Sequence, residues 1–264
     1  MSGSGTADGG DPQAAAGRLA PAPVSVDVGI VAAMAIEVGF LTDRLSRVRK
    51  YSGPHHTVIE GECAGKLVAL LVCGMGRAAA RRGTEMLIAG HRPRWVFSAG
   101  FAGALDPAFK RNAVVAADEV LDRDGNRFTL AALPHTDGKA LRARPGKLLT
   151  VDEIIRTAAE KAALRGQFAA DIVDMESSAV AEVCSGRSIP LYSLRVVSDD
   201  AEVDLPPEIA SLMTKSGSYR VGAALRAIWH RPSRIKEFWA LHEQAQEAAD
   251  RLADVTVKLI EQLG

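Results

Sequence analysis

Cysteine is scarce in this chain. There are three, Cys63, Cys73 and Cys184, odd in number and far apart. That excludes a disulfide framework and points to reduced thiols in a cytoplasmic protein. With no CxxC pair, no structural metal site is expected. Net charge is missing too, because 32 Lys+Arg stand against 32 Asp+Glu. Bulk attraction to phosphates needs a basic excess or a basic face, so nucleic acid is not an expected partner. No run of about 18 apolar residues occurs, so no transmembrane segment is expected. Internal repeats at periods of about 20–50 residues are also lacking, which excludes a solenoid.

What is present divides into three regions. Residues 1–24 hold five Gly, six Ala, three Pro and two Ser. Such a stretch cannot bury enough side chain to offset its ordering entropy, and a disordered leader is expected. Residues 25–204 carry the pattern of an α/β domain, and 205–264 read as a helical C-terminal extension. An apolar fraction of 47% with 24% charged residues suits a globular enzyme or binding domain.

Buried strands are expected from short apolar runs at Val26 to Ala33, Lys66 to Cys73, Arg94 to Ala99, Asn112 to Val120 and Ile189 to Val197. Thr57 to Cys63 alternates loosely, and Gly65 suits a hairpin between it and the next strand. Helical spacing covers Arg77 to Ala89, Val151 to Leu164 with Thr150 as N-cap, and Met175 to Ser185. The polar, Gly/Pro-punctuated stretch from Leu121 to Lys147 reads as loop with one short strand. Leu205-Pro206-Pro207 breaks the chain, and helices follow over Tyr219 to Arg231 and Pro232 to Leu263. In the latter, Ile235, Phe238, His242, Ala245, Ala249, Leu252, Thr256, Leu259 and Leu263 share one face, suited to packing on the body or on another subunit.

Four places could carry chemistry, each at a strand end where open α/β sheets place their ligands. Glu37 follows the first strand, where a first-turn acid also suits the helix dipole. Ser98 to Ala104 is a small-residue loop that backbone could bring close to a ligand, or merely a tight turn. Asp174-Met175-Glu176 opens an apolar helix, and Arg195 to Asp200 ends a buried strand in acids. Each has a bland capping explanation taken singly.

Taken together and in this order, these blocks resemble the purine nucleoside phosphorylase/nucleosidase superfamily, and most closely its 5′-methylthioadenosine/S-adenosylhomocysteine nucleosidase branch. The resemblance runs from about Val28 to Asp204. It rests on Gly29 to Met34 with Glu37, on Cys73 to Ala79, Ala99 to Leu105 and Thr150 to Asp152, and most specifically on Asp174-Met175-Glu176 and Arg195 to Asp199. It implies a three-layer nucleoside phosphorylase/hydrolase-like fold, with a central twisted mixed sheet flanked by helices. It also implies a homodimer, a small-molecule purine nucleoside as substrate, and no cofactor.

The implied reaction cleaves an N-ribosidic bond through an oxocarbenium-like sugar. The departing adenine must gain a proton at N7, and by resemblance Asp199 supplies it, with Ser198 holding the acid. Glu37 would orient and deprotonate the attacking water, with Arg195 nearby, and Glu176 would accept from the ribose hydroxyls. Met34 and Met175 would pack on the sugar. Gly100, Phe101 and Ala102 would line the site, and Ile154 and Ile155 would flank the adenine. Asp199→Asn is then expected to stop cleavage and leave folding intact. Phe101 stands where the family usually has a small hydroxyl residue, and the aromatics expected after the Ala113 to Val120 strand are replaced by Leu121-Asp122-Arg123-Asp124.

The first loop, Ala33 to Ile36, offers no arginine to a phosphate, and a carboxylate at Glu37 would repel one. Water is therefore expected over phosphate as nucleophile. The alternatives are a purine nucleoside phosphorylase, a hopanoid-associated adenosyl-lipid nucleosidase or phosphorylase, and a non-catalytic nucleoside-binding member of the fold. The stretch from Leu205-Pro206-Pro207-Glu208 through His230-Arg231-Pro232 resembles the hopanoid-associated branch.

Overall fold

The computed structural model describes residues 25–133, 141–205 and 235–264, with the side chains of 235–242 outside that set. The expected leader before Ser25, the helix expected over Tyr219 to Arg231, and the face positions Ile235, Phe238 and His242 lie outside the described residues or side chains.

A parallel trio forms the centre of the sheet. β1 (Val28–Ala32) is buried at every residue and pairs in parallel with β4 (Lys66–Val72) on one side and β5 (Trp95–Ala104) on the other. β3 (Thr57–Cys63) and β2 (Ser46–Ser52) extend the β4 edge antiparallel. The β3–β4 hairpin turns at Ala64 and Gly65, both at positive φ (49° and 75°), as the Gly65 signal predicts.

On its other side β5 closes a ring of five strands. It pairs with β10 (Leu191–Asp199), β10 with β6 (Val114–Asp122), β6 with β8 (Ala143–Thr150), β8 with β9 (Ile172–Asp174), and β9 with β5 again. The short β7 (Arg127–Thr129) pairs with β6. The sheet is mixed and flanked by helices, as the resemblance implies.

Helices cover both faces. α1 (Ala35–Asp43) joins the core cluster of Ile30, Phe97 and Leu194 through Val38 and Leu41. The last described helix, α5 (Ile235–Gln262), joins it through Leu252, Leu259 and Ile260. Arg44 of α1 is ion-paired to Asp250 and Asp254 of α5 at 2.8 and 2.6 Å. Over its described side chains the apolar face of α5 packs on its own chain, and Ala249, Leu252, Thr256, Leu259 and Leu263 are all buried. On the opposite face α2 (Arg77–His91) and α4 (Ser177–Ser185) meet through Ala80, Leu87, Val180 and Cys184. Leu164 of α3 (Ala158–Phe168) packs against Leu105, Leu121 and Leu149 beyond the ring.

Four expectations need correction. The helix expected from Val151 begins instead at Ala158. Its cap is Thr157, whose Oγ1 accepts from the Glu160 N–H at 3.2 Å while Glu160 Oε2 accepts from the Thr157 N–H at 2.9 Å. Thr150 is instead the last residue of β8. The Leu121 to Lys147 stretch is not mainly loop among its described residues, because β6 runs on to Asp122 and β8 starts at Ala143. Pro145 and Gly146 hide that strand from propensity, and parallel pairing to β6 creates it. The Gly100 to Ala104 segment is strand rather than loop, with Gly100 to Gly103 paired to β10 across a bulge at Ser198 and Ala104 paired to β9. Finally, Met175 and Glu176 precede helix α4 rather than open it.

Candidate active site

The carboxyl ends of β1 and β4 converge beside the middle of β5 and of β10, and a small cavity opens there. Its wall includes Glu37, Cys73, Ser98, Gly100, Phe101, Glu176 and Arg195.

Glu37 sits in the first turn of α1, and its carboxylate turns back toward β1. Oε2 accepts from the backbone N–H of Ala33 and Met34 at 3.1 and 2.8 Å, and Oε1 accepts from Phe101 N–H at 3.0 Å. A carboxylate has about four acceptor directions, so three backbone donors leave one for a ligand or water. The capping reading and the functional one therefore hold together, since the acid caps its helix and still fronts the cavity. Burial pushes the Glu37 carboxyl above its ordinary value of 4.5, and the three backbone donors and the Arg195 charge offset part of that rise.

β5 contributes two close approaches. A Cβ on Gly100 would lie 2.8 Å from Glu37 Oε1, and one on Gly103 would lie 3.2 Å from Asp199 Oδ2. Side chains at either position would push on a carboxylate, so glycine there lets one strand back both acids.

Glu176 lies just before α4, and its Oε1 accepts from Gly76 N–H at 2.7 Å. Desolvation, and then the charge of Asp174, push its carboxyl up to about 8. Asp174 itself is buried, and its partner is Arg195, with Nη2 to Oδ2 at 2.9 Å.

Arg195 donates further to Ser98 O, Leu194 O, Ser98 Oγ and Ser177 Oγ at 2.7–2.9 Å. The five guanidinium N–H groups are thus engaged with protein. Arg195 borders the cavity but offers it charge and rigidity rather than a free donor. Thr150 Oγ1 completes the frame, donating to Asp174 Oδ1 at 2.8 Å and accepting from Ser178 N–H at 2.9 Å.

Asp199 is buried at the end of β10, outside the wall of this cavity and against Gly103. Ser198 Oγ reaches its Oδ1 at 2.6 Å and Ala102 O at 3.2 Å. Its Oδ2 meets Lys161 Nζ at 2.6 Å.

Of the remaining expected site residues, Met34 is buried at the cap of α1 and Met175 is half-buried beside Glu176. Ile155 packs into the cluster of Leu105, Leu149 and Leu164. Ile154 is half-buried in the segment before α3. Neither isoleucine borders the cavity. Among the described residues, no three His, Cys, Asp or Glu side chains are grouped to hold a metal ion. None of the described helices is long and apolar enough to cross a membrane.

Sequence reasoning missed three contributors: Lys161, Gly76 and the Asp174 side chain as the mate of Arg195. Ala-Ala-Glu-Lys-Ala-Ala-Leu reads as an ordinary solvated helix. The one available signal is that Lys161 lies three residues before Leu164, on the same face of α3, and both are buried.

Comparison with known proteins places the chain in a family. The sequence profile of the Phosphorylase superfamily matches residues 27–261, which takes in α5 as well as the sheet. A 5′-methylthioadenosine/S-adenosylhomocysteine nucleosidase of Tolumonas auensis is 28% identical over 228 residues, 76% of this chain and 99% of that protein. One from Actinobacillus succinogenes is 29% identical over 195 residues, 65% of this chain and 85% of that protein. The fold also matches the crystal structure of the Neisseria meningitidis nucleosidase in complex with methylthio-immucillin-A. There the TM-score is 0.70 with 21% identity, over 90% of this chain and 99% of that one. With a profile match across most of its length, the chain belongs to the phosphorylase superfamily.

Proposed function

We propose that the protein is a nucleosidase that hydrolyses the N-ribosidic bond of an adenosine-type nucleoside of the methylthioadenosine/S-adenosylhomocysteine class. Relatives bearing that name over most of their length support the reading. The observation that carries it is the placement of Glu37. It fronts the cavity with one acceptor direction spare, close beside the floor that β5 provides.

A water held at that direction can lose its proton to Glu37 as it attacks the ribosyl carbon. Glu176 takes the ribose hydroxyls, its Oε1 already ordered by Gly76 N–H and its Oε2 by Met175 N–H. Asp199 serves the base, where the departing purine needs a proton. Phosphate suits the cavity poorly. The Glu37 carboxylate faces it, and the cation at its wall, Arg195, has its N–H groups bound elsewhere. We place the enzyme in the cytoplasm on the strength of three unpaired, buried cysteines. A homodimer is part of the proposal on family grounds alone, since the described apolar face of α5 packs on its own chain.

The test is incubation with methylthioadenosine in phosphate-free buffer, with adenine and the free thioribose read by chromatography. Adenine release without phosphate is the expected result. A ribosyl product that forms only when phosphate is added overturns the hydrolytic reading.

A further inference from the structure

We propose that Lys161 is a positioning residue that acts through Asp199, fixing its carboxylate and handing it the proton the departing purine takes. The inference rests on the nucleosidase reading above.

Lys161 lies on α3 and has no exposed surface. Its Nζ meets three oxygens, Asp199 Oδ2 at 2.6 Å, Asp200 O at 2.7 Å and Val203 O at 3.0 Å. An ammonium has three N–H donors, and three acceptors saturate it. The pair is therefore an ammonium beside a carboxylate. Burying a lysine is costly unless it is paired, and apolar residues of similar volume often replace such pairs at no loss of stability.

Anchoring the loop after β10 does not explain the charge. Asp204 Oδ1 accepts from Ala158 N–H at 2.8 Å, and Leu205 N–H donates to Arg156 O at 2.8 Å, so one side-chain and one backbone contact already tie that loop to the start of α3. The ammonium holds two carbonyls of that loop as well, but its charge has one anionic partner, Asp199 Oδ2, while Ser198 holds the other carboxylate oxygen at 2.6 Å.

A carboxylate paired in this way has no proton to give, yet the purine needs one. Transfer within the pair resolves this. The Nζ–H bond breaks, an O–H bond forms on Asp199, and two buried charges vanish together, a change that a low-dielectric setting assists. That O–H bond then breaks as the purine nitrogen gains the proton, and the electron pair of the cleaved C–N bond stays on the purine. Glu37 takes the proton released when water adds to the ribosyl carbon and gives it up to solvent, and once the purine has left, Asp199 takes a proton from solvent and returns it to Lys161. The reaction therefore balances without any further reagent.

The experiment compares Lys161→Met, which keeps volume without charge, with Lys161→Arg, which keeps charge but does not release its proton. Both are made in the full chain and checked by thermal melting. Steady-state kinetics follow on methylthioadenosine and on 4-nitrophenyl β-riboside, whose phenolate leaves without a proton. On the nucleoside, kcat should fall about 100-fold in either folded variant with KM little changed, while the aryl riboside is cleaved at an undiminished rate. Restored kcat in Lys161→Arg, or equal losses on both substrates, overturns the inference and leaves the nucleosidase reading standing. An unsubstituted enzyme that releases no adenine overturns both.

Discussion

Gly100 is the floor on which Glu37 rests, with no more than 2.8 Å between a would-be Cβ and Oε1. The extended backbone at Gly100 accepts alanine without strain, so the added methyl acts only by displacing the carboxylate. Gly100→Ala is expected to cost about 1–3 kcal/mol of stability, as overpacking does. Activity should suffer more, by about 10²-fold in kcat/KM, because the base is moved relative to the ribosyl carbon. Thermal melts beside initial rates separate the two, and an active, unperturbed Gly100→Ala would remove Glu37 from its proposed place.

Glu37 must lose its proton to act as a base. Burial raises its carboxyl above 4.5, so the deprotonated form appears at higher pH than for an exposed glutamate. The acid limb of kcat/KM against pH is therefore expected to lie above the ordinary carboxylate range. The same shift acts on stability with opposite benefit. The folded state holds the proton longer than the unfolded chain, so this group's contribution falls as pH rises through that window. Glu37→Gln should lower kcat about 10²–10⁴-fold and flatten the limb.

The sequence carried the strands that surround the site because those runs are apolar on both faces and need no context to be read. β1, β4, β10 and the first half of β5 were visible this way, while Gly100 to Ala104 read as loop because its small residues carry no strand propensity. β8 was not, because Arg144, Pro145 and Gly146 make sense as strand only beside β6. The carboxylates were legible as a set, since Glu37, Glu176 and Asp199 stand at strand ends in a fixed order. Their partners were not. Lys161 is 38 positions from Asp199 and Gly76 is 100 from Glu176, and no local pattern marks such pairs. Arg195 was legible as a site residue, but its saturation by Asp174, Ser98 and Ser177 is a tertiary fact that changes what it can offer.

Glu176 gives a pH-dependent stability signature. Its carboxyl titrates at 4.5 when unfolded and is raised to about 8 in the fold, first by desolvation and then by Asp174. Between those values the native state binds more protons than the unfolded state, so stability is lost as pH rises from 4.5 to about 8. Glu176→Gln has no such titration. Its melting temperature relative to the unsubstituted chain should therefore rise across that range, and an unchanging difference would contradict the burial seen here. A nucleoside whose hydroxyls donate to Glu176 favours the carboxylate, so binding near neutral pH should release a proton. Calorimetry in buffers of different ionisation enthalpy detects that release.

Asp199→Asn tests the buried pair without any assay of turnover. From the sequence alone this substitution silences cleavage and leaves the fold intact. Lys161 alters that expectation, because its ammonium has no exposed surface and loses its one anionic partner. Removing one member of such a pair costs about 3–5 kcal/mol, since the remaining charge is buried uncompensated. Asparagine keeps an acceptor oxygen, so the loss should lie near the lower end. Adding Lys161→Met to Asp199→Asn removes the stranded charge and should recover most of the stability. Denaturant melts of the two single variants and the double variant give the coupling directly. Additive losses would mean that the two side chains touch without stabilising each other. A double variant more stable than Asp199→Asn alone would establish that the carboxylate neutralises Lys161, whatever the enzyme's substrate.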